Sequence, residues 1–186
     1  MFHTALGDDI LFDQLTARNE RVPATARDGL AITFASRPVS WFLSNTSFTY
    51  TRAAFTESGG PYMKGDLLPY VPRLVVRSDL SYTPRLGKIA GRNLDGRFGL
   101  GLTYAGLKAL PYSETAHDSY LVDALAEVRL RELALGLDVY NLLGADWYDG
   151  EFVYASRFSG SADLVPVRHV SVGAPRAFLV SLAVYL

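Results

Sequence analysis

Gly173–Leu186 reads GAPRAFLVSLAVYL, which places Phe178, Val180, Leu182, Val184 and Leu186 on one face of an extended chain. The other parity holds Ala177, Leu179, Ser181, Ala183 and Tyr185, which are small or mixed in character. A greasy outer face backed by small residues fits a membrane barrel around a polar lumen better than a packed soluble core. Hydrocarbon leaves no backbone N–H or C=O unbonded, so only helices and closed barrels span it. One lipid-facing strand therefore implies a sheet of partners.

The same two-residue period is strongest just upstream. Val122, Ala124, Ala126, Val128 and Leu130 are apolar, with Asp123, Glu127 and Arg129 on the other parity. After Arg131-Glu132 the phase reverses, and Leu133, Leu135, Leu137 and Val139 become the apolar set. In an antiparallel pair joined by those two residues, Leu130 lies opposite Leu133, so even positions of one strand must face with odd positions of the next. The sequence meets that requirement, although Arg-Glu is not the usual two-residue turn chemistry and allows a loop one residue longer.

Working outward predicts eight strands near 2–12, 28–37, 40–55, 74–84, 97–109, 120–130, 133–143 and 176–186. The connections at 37–39 and 131–132 are short, whereas 13–27, 56–73, 110–119 and 144–175 are long and rich in Gly, Pro, Asp and Ser. Short turns at one end and long loops at the other are the habit of outer-membrane barrels. Arg85–Gly96 departs from it, being long where a tight turn is expected. Phe34, Trp41, Phe42, Tyr82 and Phe98 fall at one end of the strands and Tyr50, Tyr104 and Phe178 at the other. This matches either two interfacial girdles or ordinary aromatic enrichment in a sheet.

Composition adds exclusions. A net charge of −1 over 186 residues gives no nucleic-acid footprint, and the absence of cysteine removes disulfide frameworks and thiolate metal sites. No run approaches the roughly 18 apolar residues of a membrane-spanning helix. The opening MFHTALGDDILFDQL lacks the basic start, apolar middle and small-residue cleavage site of a secretory signal, so the chain reads as a fragment.

Six phrases then occur in order. They are Asp9-Ile10-Leu11-Phe12, Ala26-Arg27-Asp28-Gly29-Leu30, Ser47-Phe48-Thr49-Tyr50-Thr51-Arg52-Ala53, Gly65-Asp66-Leu67-Leu68-Pro69-Tyr70-Val71-Pro72, Val139-Tyr140-Asn141-Leu142-Leu143 and Gly173-Ala174-Pro175-Arg176. Together they resemble the C-terminal barrel region of TonB-dependent outer-membrane receptors over nearly the whole chain. Leu186 stands where such barrels usually end in Phe or Trp, and Leu143 replaces an aromatic. The resemblance implies an all-β, antiparallel up-and-down transmembrane barrel segment belonging to a barrel of about 22 strands, with 1–186 supplying wall and loops. It also implies residence in the Gram-negative outer membrane, against lipid. The missing plug and remaining strands, and through them the TonB energy-coupling complex, are the implied partners. The implied activity is ligand-gated uptake of a siderophore, cobalamin or similar nutrient, a small-molecule ligand such as a metal chelate, with sugar and peptide left open.

On that reading, the ligand-contacting candidates on the longest loop are Trp147, Tyr148, Phe152, Tyr154, Arg157, Phe158, Arg168 and His169, since aromatic faces and cations hold large or anionic ligands. The alternative is that they stiffen the loop. The hairpin register places Asp123, Glu127 and Asp138 together as an acidic lumen patch. It either pairs with basic plug residues or is solvated wall with Arg129 as partial compensation.

No cofactor, metal site or enzymatic constellation is expected. His117-Asp118-Ser119 is contiguous and cannot converge as a triad, and His3, His117 and His169 lack ligand spacing. Gly99-Leu100-Gly101 is followed by no phosphate-loop signature and is read as relief of crowding on the lumen face. Two other architectures fit the strand pattern: a stand-alone eight-stranded membrane barrel with a structural or adhesive role, and a soluble lipocalin-like barrel with its apolar parity inside.

Overall fold

The computed structural model describes residues 1–13, 18–157, 159–160 and 163–185. The strands are β1 (Phe2–Leu6), β2 (Asp9–Asp13), β3 (Arg18–Val22), β4 (Thr25–Val39), β5 (Phe42–Phe55), β6 (Leu74–Tyr82), β7 (Arg85–Ile89), β8 (Arg92–Gly106), β9 (Ser119–Leu130), β10 (Leu133–Tyr140), β11 (Tyr148–Ser156), β12 (Val165–Val172) and β13 (Ala177–Val184). No helix occurs among the described residues, and none is long and apolar enough to cross a membrane.

The main sheet is an antiparallel meander in the order β1-β4-β5-β6-β8-β9-β10-β13, with β7 added beside β8. Among the described residues the path does not close: β1 and β13 are its two edges. The Leu130↔Leu133 register holds, and the turn is the two-residue one, with Arg131 taking a left-handed φ of 57°.

Three expectations are corrected. The strand placed at 2–12 is two strands, and β2 leaves the sheet to pair with β3. Arg85–Gly96 is not a long connection. β7 continues the line of β6 past Pro84 and turns through Ala90-Gly91 into β8, so a tight turn does sit there. The longest loop is itself a hairpin, β11 against β12. All three short turns, at 40–41, 90–91 and 131–132, therefore lie at one end of the meander, and the two extra hairpins lie at the other.

Following the register across the sheet shows what each face carries. Val180 lies beside Leu137, then come Ala126, Phe98, Tyr82 and Phe42; one row along, Phe178, Val139, Ala124, Leu100 and Leu80 follow each other. From Leu30, Tyr50 and Leu74 down to Leu94, Leu130 and Leu133 this face bears no charged residue. Thr46 and Ser78, two of its few hydroxyls, bond each other at 2.9 Å. The opposite parity collects Arg77, Asp79, Asp95, Arg97, Asp123, Glu127, Arg129 and Asp138 among Ala, Gly, Ser and Thr, with Leu43, Val75, Leu121, Leu125 and Leu179 interspersed.

Among the described residues nothing covers the centre of the apolar face. Leu135, Val180 and Leu182 are 57%, 69% and 72% exposed. The total accessible surface is 12207 Å², against about 8,800 Å² for a compact folded chain of this mass. Of the fully buried apolar residues among those described, Ala134 and Val139 belong to β10 of the main sheet. Val22, Ala53, Ala54, Phe55, Leu68, Leu110, Ala116 and Val153 cluster at the end where the long connections are.

The Ala90-Gly91 turn needs a positive φ at both residues, 47° and 75°, as in a type I′ hairpin. Ala90→Asn should raise stability by about 0.5–1 kcal/mol and Gly91→Val lower it by about 1–2 kcal/mol, read from denaturant midpoints in detergent.

Candidate functional site

The long connections are not loose. Each extra hairpin is seated on the sheet end by a carboxylate with its own donors. On one side, Asp9 of β2 accepts from Thr25 Oγ1 at 2.8 Å and from Arg27 at 2.5 Å, and Arg27 also donates to Thr25 Oγ1 at 3.1 Å. Below that contact Val22, Ala53, Phe55 and Leu68 form a small core with Leu11, Tyr62 and Val71, in which the Phe55 and Tyr62 rings stack at 4.3 Å. Burial raises the Asp9 pKa, but the bonds from Arg27, Thr25 and the Ile10 amide outweigh it and leave the group below its ordinary 3.8.

On the other side the β11–β12 hairpin turns Glu151, Val153 and Arg168 down onto the 107–118 connection, where Val153 packs with Leu110, Ala116 and Tyr70. Glu151 is 2% exposed. Its carboxylate accepts from the His117 backbone N–H at 2.7 Å, lies 2.8 Å from His117 Nδ1 and accepts from Arg168 Nη1 at 2.8 Å. Arg168 also donates to Glu114 at 2.8 Å and to the Thr115 carbonyl at 3.0 Å. A carboxylate this deep survives as an anion only because its oxygens are so occupied. Burial pushes it up, the His117 and Arg168 bonds push it down, and the result lies below the usual 4.5.

This geometry sorts the loop candidates. Arg168 is committed to two carboxylates. Trp147 donates Nε1–H to the Ala174 carbonyl at 3.0 Å and lies flat over Gly173, where a Cβ would meet its ring at 2.1 Å, so it closes the base of the hairpin. Tyr148 leans on the His117 ring at 5.3 Å, and Phe152 on Tyr70 at 5.7 Å. Tyr154 and His169 stack at 4.0 Å with 9° between planes, and His169 Nε2 is 2.7 Å from Ser156 Oγ. Arg157 is exposed, and Phe158 lies outside the described residues. What the hairpin offers outward is therefore the Tyr154–His169 stack, the Phe152 ring and Arg157. Each of the three histidines has a partner: Asp28 for His3, Glu151 for His117 and Ser156 for His169.

The polar face also differs from its reading as an acidic patch. Leu125 does lie opposite Asp138. For Asp123 the neighbouring cation is Arg77: it chelates Asp79, donates to Thr103 Oγ1 at 2.6 Å and reaches Asp123 at 3.6 Å. Gly101 makes room, since a Cβ there would stand 2.7 Å from the guanidinium. Asp123 additionally accepts from the Asn141 N–H at 3.0 Å. Arg129 lines the turn end of the face together with Glu127, donates to the Arg131 carbonyl and lies 4.2 Å from the centre of the Tyr185 ring. Glu151, Glu114 and Arg77 were not singled out in the sequence, and His117 was weighed only as a triad member or metal ligand. Their partners lie from two to 54 positions away, and no local spacing marks them.

Glu151→Ala strips Arg168 and His117 of their shared acceptor and should loosen hairpin docking by about 1–3 kcal/mol, seen as faster amide exchange over 148–172 with the sheet unaffected. A depressed carboxylate contributes stability above its unfolded pKa and loses it as pH falls through the folded value. The wild-type hairpin should accordingly hold at pH 5 and above and undock below about 4.5, while Glu151→Gln should flatten that acid limb.

No protein-family model, no curated protein and no solved structure matches this chain.

Proposed function

We propose that this chain forms part of the wall and the outer loops of a ligand-gated outer-membrane uptake receptor of the TonB-dependent kind, and that it acts without catalysis. The observation that carries the reading is the division of the sheet, between the level of Leu30, Tyr50 and Leu74 and that of Leu94, Leu130 and Leu133, into an apolar face without charged residues and a face that holds the charges of that stretch; Asp28 and Arg52 stand on the apolar side just beyond it. Lipid on one side and water on the other is the setting in which such a division lowers the free energy without any covering layer.

The Trp41, Tyr82 and Phe98 rings, 5.4 and 6.3 Å apart in sequence along the turn end, suit one membrane interface, and Tyr50, Tyr104 and Tyr120 suit the other. Phe42 and Tyr50 are separated by about 26 Å of extended strand, close to the height of an outer-membrane apolar band. The free edges of β1 and β13 favour a larger barrel completed by further strands. A closed eight-stranded barrel is the second reading, supported by the eight strands of the meander path. The Tyr154–His169 stack and Arg157 are the ligand contacts on this reading, and energy coupling reaches the wall through a plug.

The chain contains no cysteine, so single cysteines can be placed at will. Probes at Leu135, Val180 and Leu182 in proteoliposomes should be quenched by lipid-borne nitroxide, and probes at Ala134, Gly136 and Ser181 by a water-soluble quencher. The reverse pattern would refute the membrane assignment. A disulfide forming within one chain between β1 and β13 would favour the eight-stranded barrel. In the receptor containing this chain, Tyr154→Ala with His169→Ala should weaken ferric-chelate binding about tenfold while insertion is unchanged.

A further inference from the structure

The polar face is electrically uneven. Around its middle, Arg77 stands beside Asp79 and Asp123, and Asp138 adds a further carboxylate on β10. Toward the short turns the sign changes. A cavity of about 560 Å³ there is lined by Arg92, Arg97, Arg129 and Arg131, against two carboxylates, Asp95 and Glu127. Neighbouring pairs account for part of this charge: Arg85 lies 3.9 Å from Asp95 and Arg131 lies 3.0 Å from Glu132. Arg92 and Arg97 form no ion pair among the described residues, although Arg97 sits opposite Glu127 in the ladder.

We infer that this basic concavity at the turn end of the polar face docks an acidic polypeptide segment, with Arg97 and Arg129 as its anchors. Arg97 and Arg129 lie on the parity opposite the apolar face, so a lipid headgroup lying beyond that face is on the wrong side of the sheet to meet them. A small free anion centred between them would also meet the Glu127 and Asp95 charges. An extended segment can turn carboxylates to the arginines and its own N–H groups to Asp95, Glu127 and Asn93, satisfying both signs at once. The inference concerns the polar face alone and does not depend on what the molecule transports.

The test uses the full chain in detergent micelles and a fluorescein-labelled peptide alternating Glu and Ser, followed by anisotropy. Binding should weaken steeply with salt and fall about tenfold in Arg97→Gln, the loss of one charge-assisted contact. Glu127→Gln, which removes a like charge without disturbing an ion pair, should instead tighten it, so a result independent of folding damage is at hand. Lys88→Gln, on β7 but outside the cavity lining, should leave it unchanged. Equal affinity for a Lys-Ser peptide, indifference to Arg97→Gln, or equal displacement by inorganic phosphate or phosphatidylglycerol micelles would overturn the assignment.

Discussion

In an antiparallel ladder a residue and its two lateral partners share a face, and everything distinctive about this molecule depends on that rule being kept across eight consecutive strands. A slip of one residue anywhere would carry Arg77 or Asp123 to the apolar side and Leu100 or Leu135 to the polar one. The slip is opposed at several points: by the Arg77 bonds across β6 and β8, by the Asn141 amide on Asp123, and by turns only two residues long. The polar interactions in the strands thus act as registration marks as much as cohesive contacts.

Cohesion in the ordinary sense is concentrated elsewhere. The fully buried apolar side chains gather under the two accessory hairpins, and each hairpin brings one carboxylate into that region: Asp9 to meet Arg27 and Thr25, Glu151 to meet Arg168 and His117. The molecule is therefore two materials, a sheet whose stability rests on backbone bonding and surroundings, and an end-cap that packs like a small soluble domain. Rigid hairpins present the Tyr154–His169 stack at a defined place, which a loose loop of the same length would not.

The sequence was legible where periodicity was long. Val122–Val139 disclosed strand, phase and register because ten or more alternating positions leave one solution. It was opaque where an element is short or gains its structure from contacts far along the chain. Arg85–Ile89 has five residues with a glycine among them, and Ala90-Gly91 lacks the Asn or Asp that flags such a turn, so β7 was hidden. Arg18–Val22 has no alternating apolar set, and its pairing with β2 follows from docking against Phe55 and Leu68. The aromatic and cationic residues of 147–169 were visible as a group. Which of them face outward was decided by Glu151, which carries no motif.

Hydrophobicity in this molecule is a property of the paired strands and not of the thread. Its greasy groups are interleaved with small and charged ones, and among the described residues no helix is long and apolar enough to cross a membrane. A one-sided apolar surface comes into being only when hydrogen bonding between neighbours sorts the side chains to the two sides.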